Sequence, residues 1–251
     1  MNRFRLAALA ALASGLAWLP MPRAARAAAE IHRLNFVVSA IPSQIAGGDF
    51  NDVIDVINRT QLENHGNQGL DRVGFGWLFD SELRYFVRPN FTLEAGLGQL
   101  RSTSERTFLP GIGLQTTYSA EMLSVPLHVG GTYYFTPYNQ GDFQARAYLG
   151  AGMQSLVYDK VTFEVLATVP DTVTGRTRVI DNKTVLSHDA PGWYGELGVH
   201  MFFAARYSVL LGAYYRSAVV RDMPDQTTHV PTRFRLDMSG VGAKMALGIG
   251  L

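Results

Sequence analysis

Ser187, His188 and Asp189 stand side by side, and serine, histidine and aspartate are the residue types of a nucleophile, its base and an orienting acid. Their adjacency defeats that chemistry, because neighbouring residues of a strand point to opposite faces. His128 and His200 take the polar parity, where they are expected to hydrogen-bond in the lumen, and His32, His65 and His229 are scattered in terminal or loop positions, so no metal-ligand spacing is present. With 0 Cys, a thiolate zinc site, a cysteine nucleophile and a disulfide scaffold are excluded. The Gly-x-Gly recurrences lie within strands with no helix following, which is the wrong context for binding phosphate. No cofactor and no metal is expected. The net charge of +1 gives no reason to expect nucleic acid.

Charge on one face of the strands is the second chemical lead. Glu82, Arg84, Glu94, Arg146, Glu196, Arg216 and Lys244 all take the parity opposite to the apolar residues of their own segments. Acids and bases in rough balance on one inward face make a paired network that satisfies buried charge. Rearranged, the same network could open a narrow pore. The third lead is an apolar cluster in a loop. Phe50, Val53, Ile54 and Ile57 recur at helical spacing behind Asp49 as N-cap, opposite Asn51, Asp52, Asp55 and Asn58. A later loop adds Phe108, Leu109 and Ile112, so a hydrophobic mouth or a rim cap is expected.

The elements that must hold these residues are strands. Residues 1–29 read as a cleaved signal peptide: Arg3 and Arg5, an apolar run from Leu6 to Leu19, and small residues around Ala27. Residues 30–251 form one β-domain. Period-2 alternation places strands near 33–45, 71–87, 91–101, 117–135, 143–158, 185–203, 207–220 and 234–251. Short connections at 88–90, 136–142 and 204–206 alternate strictly with long ones at 46–70, 102–116, 159–184 and 221–233. That alternation sorts short turns to one end of a sheet and long loops to the other. The expected fold is all-β: a transmembrane, up-and-down antiparallel barrel of about eight strands, with a short helix in the first long loop.

Orientation of the two faces decides between membrane and water. The charged parity is also crowded with glycine, as the interior of a narrow barrel requires if long polar side chains are to interdigitate. On the apolar parity Tyr85, Phe91, Phe135, Phe143, Phe203 and Tyr207 flank the short turns, while Trp77, Trp193 and Tyr215 lie toward the long loops. These are the two aromatic girdles of a membrane barrel. Ten residues from Trp193 to Phe203, tilted near 40°, give roughly 25 Å, the height of its apolar band. The final strand, Lys244 to Leu251, alternates to the end in the manner of an assembly signal, with leucine where an aromatic residue is usual.

Leu83-Arg84-Tyr85-Phe86 before a proline turn, Phe91-Thr92-Leu93-Glu94-Ala95-Gly96, Val125 to Phe135, and Arg146 to Gly152 resemble the small outer-membrane barrels. These are the OmpW-like, OmpX-like and OmpA transmembrane-domain-like proteins. The resemblance implies the outer membrane of a two-membraned bacterium. The implied partners are outer-membrane lipid, lipopolysaccharide and the outer-membrane assembly machinery. Three functions follow as expectations. The first is a non-enzymatic, narrow or gated route or docking site for small apolar solutes. The second is a structural or adhesive surface barrel with a plugged lumen, and the third a lipid-modifying enzyme.

Overall fold

The computed structural model describes residues 32–63, 66, 68–111, 114–170, 177–203, 206–228, 230 and 232–251. The expected leader, His65, Ile112, His229 and residues 171–176 of the expected third long loop lie outside these residues.

In chain order the elements are β1 (Leu34–Gln44), β2 (Gly47–Gly48), α1 (Asp49–Ile57) and a π-helical turn, Asn58–Leu62. There follow β3 (Phe75–Arg88), β4 (Phe91–Gly111), β5 (Leu114–Tyr134), β6 (Tyr138–Gln140) and β7 (Phe143–Pro170). The chain ends with β8 (Thr177–Phe203), β9 (Tyr207–Val220), β10 (Leu236–Asp237) and β11 (Gly240–Gly250). Eight of these, β1, β3, β4, β5, β7, β8, β9 and β11, pair antiparallel with their neighbours, and β11 returns to β1. The ring is closed over the shared height of its eight strands, and the upper parts of β4 and β8, beyond Arg101 and Gly192, keep an edge that β3 and β9 do not pair.

Alternation dictates what each wall presents. Along β3 the inward residues Leu78, Asp80, Glu82, Arg84 and Phe86 are buried, whereas Phe75, Trp77, Phe79, Leu83, Tyr85 and Val87 are exposed. The pattern repeats around the ring, with Leu93, Leu97, Leu127, Val129, Leu149, Met153, Leu197 and Leu247 about half exposed or more. Ionic side chains inside and a continuous greasy wall outside invert the distribution of a water-soluble fold. A barrel standing in hydrocarbon requires that inversion.

Strand lengths differ from expectation on the external side. The second and third long loops are largely strand: β4 and β5 rise to Gly111 and Leu114, and β7 and β8 to Pro170 and Thr177. Above the greasy wall the outward residues turn polar, as at Thr103, Glu105, Ser119 and Glu121, so the contrast that betrays alternation is lost. Register shifts between Leu156 and Asp159 and between Val125 and Pro126 break the parity count at that same height. The expected last strand, beginning at Phe234, is also divided. Leu236 and Asp237 pair with Val220 and Val219 and with the first loop's Gly48 and Gly47 before β11 begins.

The first-loop helix forms and turns inward. Phe50 and Ile54 are fully buried with Leu62, Leu70, Met122, Val161, Leu186, Val220, Met223 and Phe234, and Val53, Ile57 and Phe108 pack at the margin. Phe50 lies 5.2 Å from Phe163 between ring centroids. The N-cap is Gly48, not Asp49, because a positive φ of 60° there starts the turn. Asp49 instead accepts the backbone N–H of Arg235 through Oδ2 at 2.8 Å.

The expected polar face of α1 is only partly solvated. Asn51 donates to the Val73 carbonyl and accepts the Val73 amide, both at 2.8 Å. Seven residues on, Asn58 treats Leu70 in the same way, at 2.9 and 2.7 Å. Each side-chain amide thus acts as a peptide group and straps the returning segment to the helix. Asn58→Ala strands one donor and one acceptor in a half-buried place, and should cost about 1–2 kcal/mol. The expected signature is faster amide exchange confined to residues 46–73, with the barrel strands unchanged.

Candidate functional site

The inward charges converge midway up the barrel. Arg84 donates from Nε to Glu82 Oε1 at 2.7 Å, from Nη1 to the Tyr134 hydroxyl at 3.0 Å, and from Nη2 to Glu196 Oε1 at 2.5 Å. Lys244 Nζ donates to both oxygens of Glu82 at 3.1 Å and to Glu196 Oε2 at 2.6 Å. Glu94 has Arg84 at 3.6 Å and accepts the hydroxyls of Tyr194 and Thr132 at 2.7 and 2.8 Å. Two cations face three carboxylates, and the surplus carboxylate is the one held by neutral donors. All five ionic side chains are buried, so these partners supply the hydrogen bonds that water gives an exposed charge.

Two residues expected in the network stand apart from it. Arg146 lies two inward positions below Gly150, which faces Glu196 across the β7–β8 ladder. It donates to Gln144 at 2.9 Å and to the Pro89 carbonyl instead. Arg216, opposite Tyr194 and Gly240, lies above. Its Nε and Nη2 donate to the carbonyls of Met238 and Gln44, at 2.6 and 3.4 Å. Parity gave these two the correct face. It gave no height, and at strand spacing two inward positions are about 13 Å.

Asp80 and Tyr134, partners of the same parity, escaped the sequence reading, whereas His128 and His200 stand on the lumen face as expected. Asp80 accepts from His128 Nε2 at 3.0 Å, and Tyr134 meets His200 Nδ1 at 3.0 Å. Asp80, Glu82 and Arg84 form an i, i+2, i+4 run, which is the signal that could have found Asp80. Asp80, Glu82 and His128 bring ligand-type atoms within 4.8 Å of one another. That set does not suit a metal, because Arg84 and Lys244 already occupy Glu82. Glycine makes room for the network: a Cβ on Gly150 would stand 2.9 Å from Glu196 Cγ and 2.6 Å from Thr132 Oγ1.

The lumen is filled above and below this layer. Beneath it pack Val37, Phe86, Tyr134, Tyr148, Phe202, Leu210 and Ala246. Above it Leu78, Leu100, Pro126, Leu156 and Met238 line a space of only about 10 Å³ beside Arg216 and Ser124. Higher still is the cluster built on Phe50 and Ile54. Leu109's side chain and Ile112 lie outside the described residues, so the expected second-loop contribution to the mouth rests on Phe108, 6.0 Å from Tyr118.

The outer wall carries the expected aromatics. Trp77, Tyr85, Phe91, Phe135, Trp193, Phe203, Tyr207 and Tyr215 are exposed, and Phe143 is half-exposed against Phe203 at 5.5 Å. Trp193 and Tyr215 pair at 5.1 Å near the external side. Of Ser187, His188 and Asp189, Ser187 makes a contact at the rim through its backbone. The Ser187 amide donates to the Pro224 carbonyl, and its own carbonyl accepts from Gln226. His188 and Asp189 are exposed.

No family model matches the chain, and no curated protein matches it in sequence. Solved structures do resemble it. The Neisserial surface protein A covers 88% of this chain over 99% of its own, at 9% identity and a TM-score of 0.39. The N-terminal β-barrel domain of Pseudomonas aeruginosa OprF covers 88% over 98% of its own, at 9% identity and 0.34. The attachment invasion locus protein Ail of Yersinia pestis covers the same shares, at 13% identity and 0.33. The chain is similar to small outer-membrane β-barrels.

Proposed function

We propose that this chain is an outer-membrane surface barrel with a closed lumen, acting through its outer wall and its tall external hairpins. The observation that carries the reading is the stacked filling of the lumen. An aromatic layer, an ionic layer and the apolar cap of α1 follow one another with about 10 Å³ to spare beside Arg216. A conduit for solutes needs a continuous wet path, and eight strands enclose only enough space for side chains. The strands that rise beyond the greasy wall, up to Gly111 and Pro170, give the protein a structured surface outside it.

In planar bilayers the purified protein should give no stable conductance steps, and a variant lacking residues 49–62 should give them. Steps of equal size in both proteins overturn the closed-lumen reading. Replacing residues 160–187 by a short Asn-Gly turn should leave a folded, heat-modifiable barrel whose host cells no longer attach to a surface. Undiminished attachment removes the surface role.

A cleft of about 90 Å³ beside α1, with Ile57, Leu70, Tyr118, Phe163 and Val165 on its apolar side and Ser119, Glu164, Asn182 and Thr184 on its polar side, favours a second reading as a docking site for a small, mainly apolar solute. Its volume admits a few carbon atoms. Xenon or a short alcohol titrated against this cleft, with shifts confined to those residues, supports that reading, and the absence of any shift dismisses it.

A further inference from the structure

On the outer wall, β3 and β4 place two different columns side by side. Phe75, Trp77 and Phe79 follow one another on β3, Trp77 stacked near-parallel on Phe79 at 6.0 Å and edge-on to Phe75 at 6.1 Å. Gln99, Arg101 and Thr103 face the same way on β4, with Trp77 opposite Arg101 and Phe79 opposite Gln99 in the ladder. Trp77, Phe79, Gln99, Arg101, Ser102 and Thr103 line an open groove of about 530 Å³.

Its height on the barrel tells what lies against it. From Tyr85 to Trp77 is eight residue steps, which at the usual rise and tilt is about 20 Å above the short-turn girdle. Below the groove the wall is Leu83, Leu93 and Leu97. Beside Arg101 stands the outward carboxylate of Glu121. The groove therefore sits where hydrocarbon gives way to headgroups on the external side.

We infer that this groove binds a phosphorylated, multiply acylated glycolipid of the outer leaflet. The assignment rests on the outer-membrane placement proposed above. Flat aromatic faces beside hydrogen-bonding side chains suit a sugar ring, and the leucines below suit its acyl chains. Arg101 supplies the anion partner, with 63% of its side chain exposed. Its contact with Glu121 is through Nε, at 2.8 Å. An exposed pair of this kind holds by at most about 1 kcal/mol, and a phosphate can compete for the guanidinium.

The full mature barrel in mild detergent, loaded with bisphosphorylated hexa-acyl lipid A and exchanged into lipid-free detergent, tests the site when retained lipid is counted by native mass spectrometry. One molecule should stay on the wild type. Arg101→Gln should cut retention about tenfold, the loss of one charge-assisted contact. Glu121→Gln, which removes the competing carboxylate, should raise it. Lipid A stripped of phosphate should bind the wild type as weakly as the intact lipid binds Arg101→Gln, which keeps the test alive if that variant does not fold. Phosphatidylglycerol retained as well as lipid A, or equal retention by wild type and folded Arg101→Gln, overturns the inference. Failure of the placement itself would show separately, as protein absent from the outer-membrane fraction of cells.

Discussion

Arg84→Met should lower the stability of the folded barrel by about 3–5 kcal/mol, read as an earlier midpoint of urea unfolding in lipid vesicles. The magnitude follows from what stays behind. Arg84 is wholly buried and bonds Glu82 and Glu196 while standing 3.6 Å from Glu94. Without it three buried carboxylates share the single ammonium of Lys244. Removing one partner of a buried ion group costs far more than exchanging the whole group for apolar residues. The double variant Arg84→Met, Glu196→Gln should therefore regain part of the loss, because it deletes a negative charge together with the positive one. An unchanged midpoint for Arg84→Met would mean that water reaches the network, and the filled-lumen reading would go with it.

The second large effect concerns pH. Asp159 is buried above the greasy wall, one residue from the outward-pointing Lys160. Burial pushes its carboxyl up from 3.8 to about 7, opposed by the Ser124 hydroxyl and helped by the negative charge of Asp189. No cation is among these influences, and the ladder sets Ser124 and His188 opposite it on β5 and β8. The folded protein therefore holds this proton more tightly than the unfolded chain does. Stability is full below pH 3.8, falls as pH rises from there to about 7, and levels off above. The gap of about three pH units corresponds to roughly 4 kcal/mol at 1.36 kcal/mol each. Asp159→Asn keeps the shape and abolishes the ionisation, so its urea midpoint at pH 8 should exceed that of the wild type and the two should converge near pH 4. Parallel curves for the two proteins would show that Asp159 is hydrated.

Parity along the strands made much of the fold legible in advance. Wherever Glu82, Arg84, Glu94 or Glu196 stood between apolar neighbours, the contrast announced both a strand and its inward face. The same parity carried the aromatic girdles to the outer wall. What it could not supply was height around a tilted ring, and so Arg146 and Arg216 entered the expected network although they lie below and above it. Hydroxyls gave no contrast either. Thr132 and Tyr194 could have satisfied water as easily as Glu94, whereas His128 and His200 did show the lumen face by parity. The upper hairpins were hidden for the opposite reason: at Thr103, Glu105 and Ser119 both faces are polar, and only backbone pairing reveals a strand. Asn51 and Asn58 looked like a solvated stripe, because sequence cannot show that the segment at 70–73 returns to their side of the helix.

The seam of the ring has a consequence for how the molecule comes into being. Asn35 meets Gly250 there, a pairing about 200 residues apart in the chain. Until the last strand emerges, β1 and β9 each offer a bare row of amides and carbonyls to any other extended polypeptide. Contacts so remote in sequence form slowly, since a long chain must first be brought end to end. An escort that shields those two rims during biogenesis would thus do more for yield than any improvement of the interior.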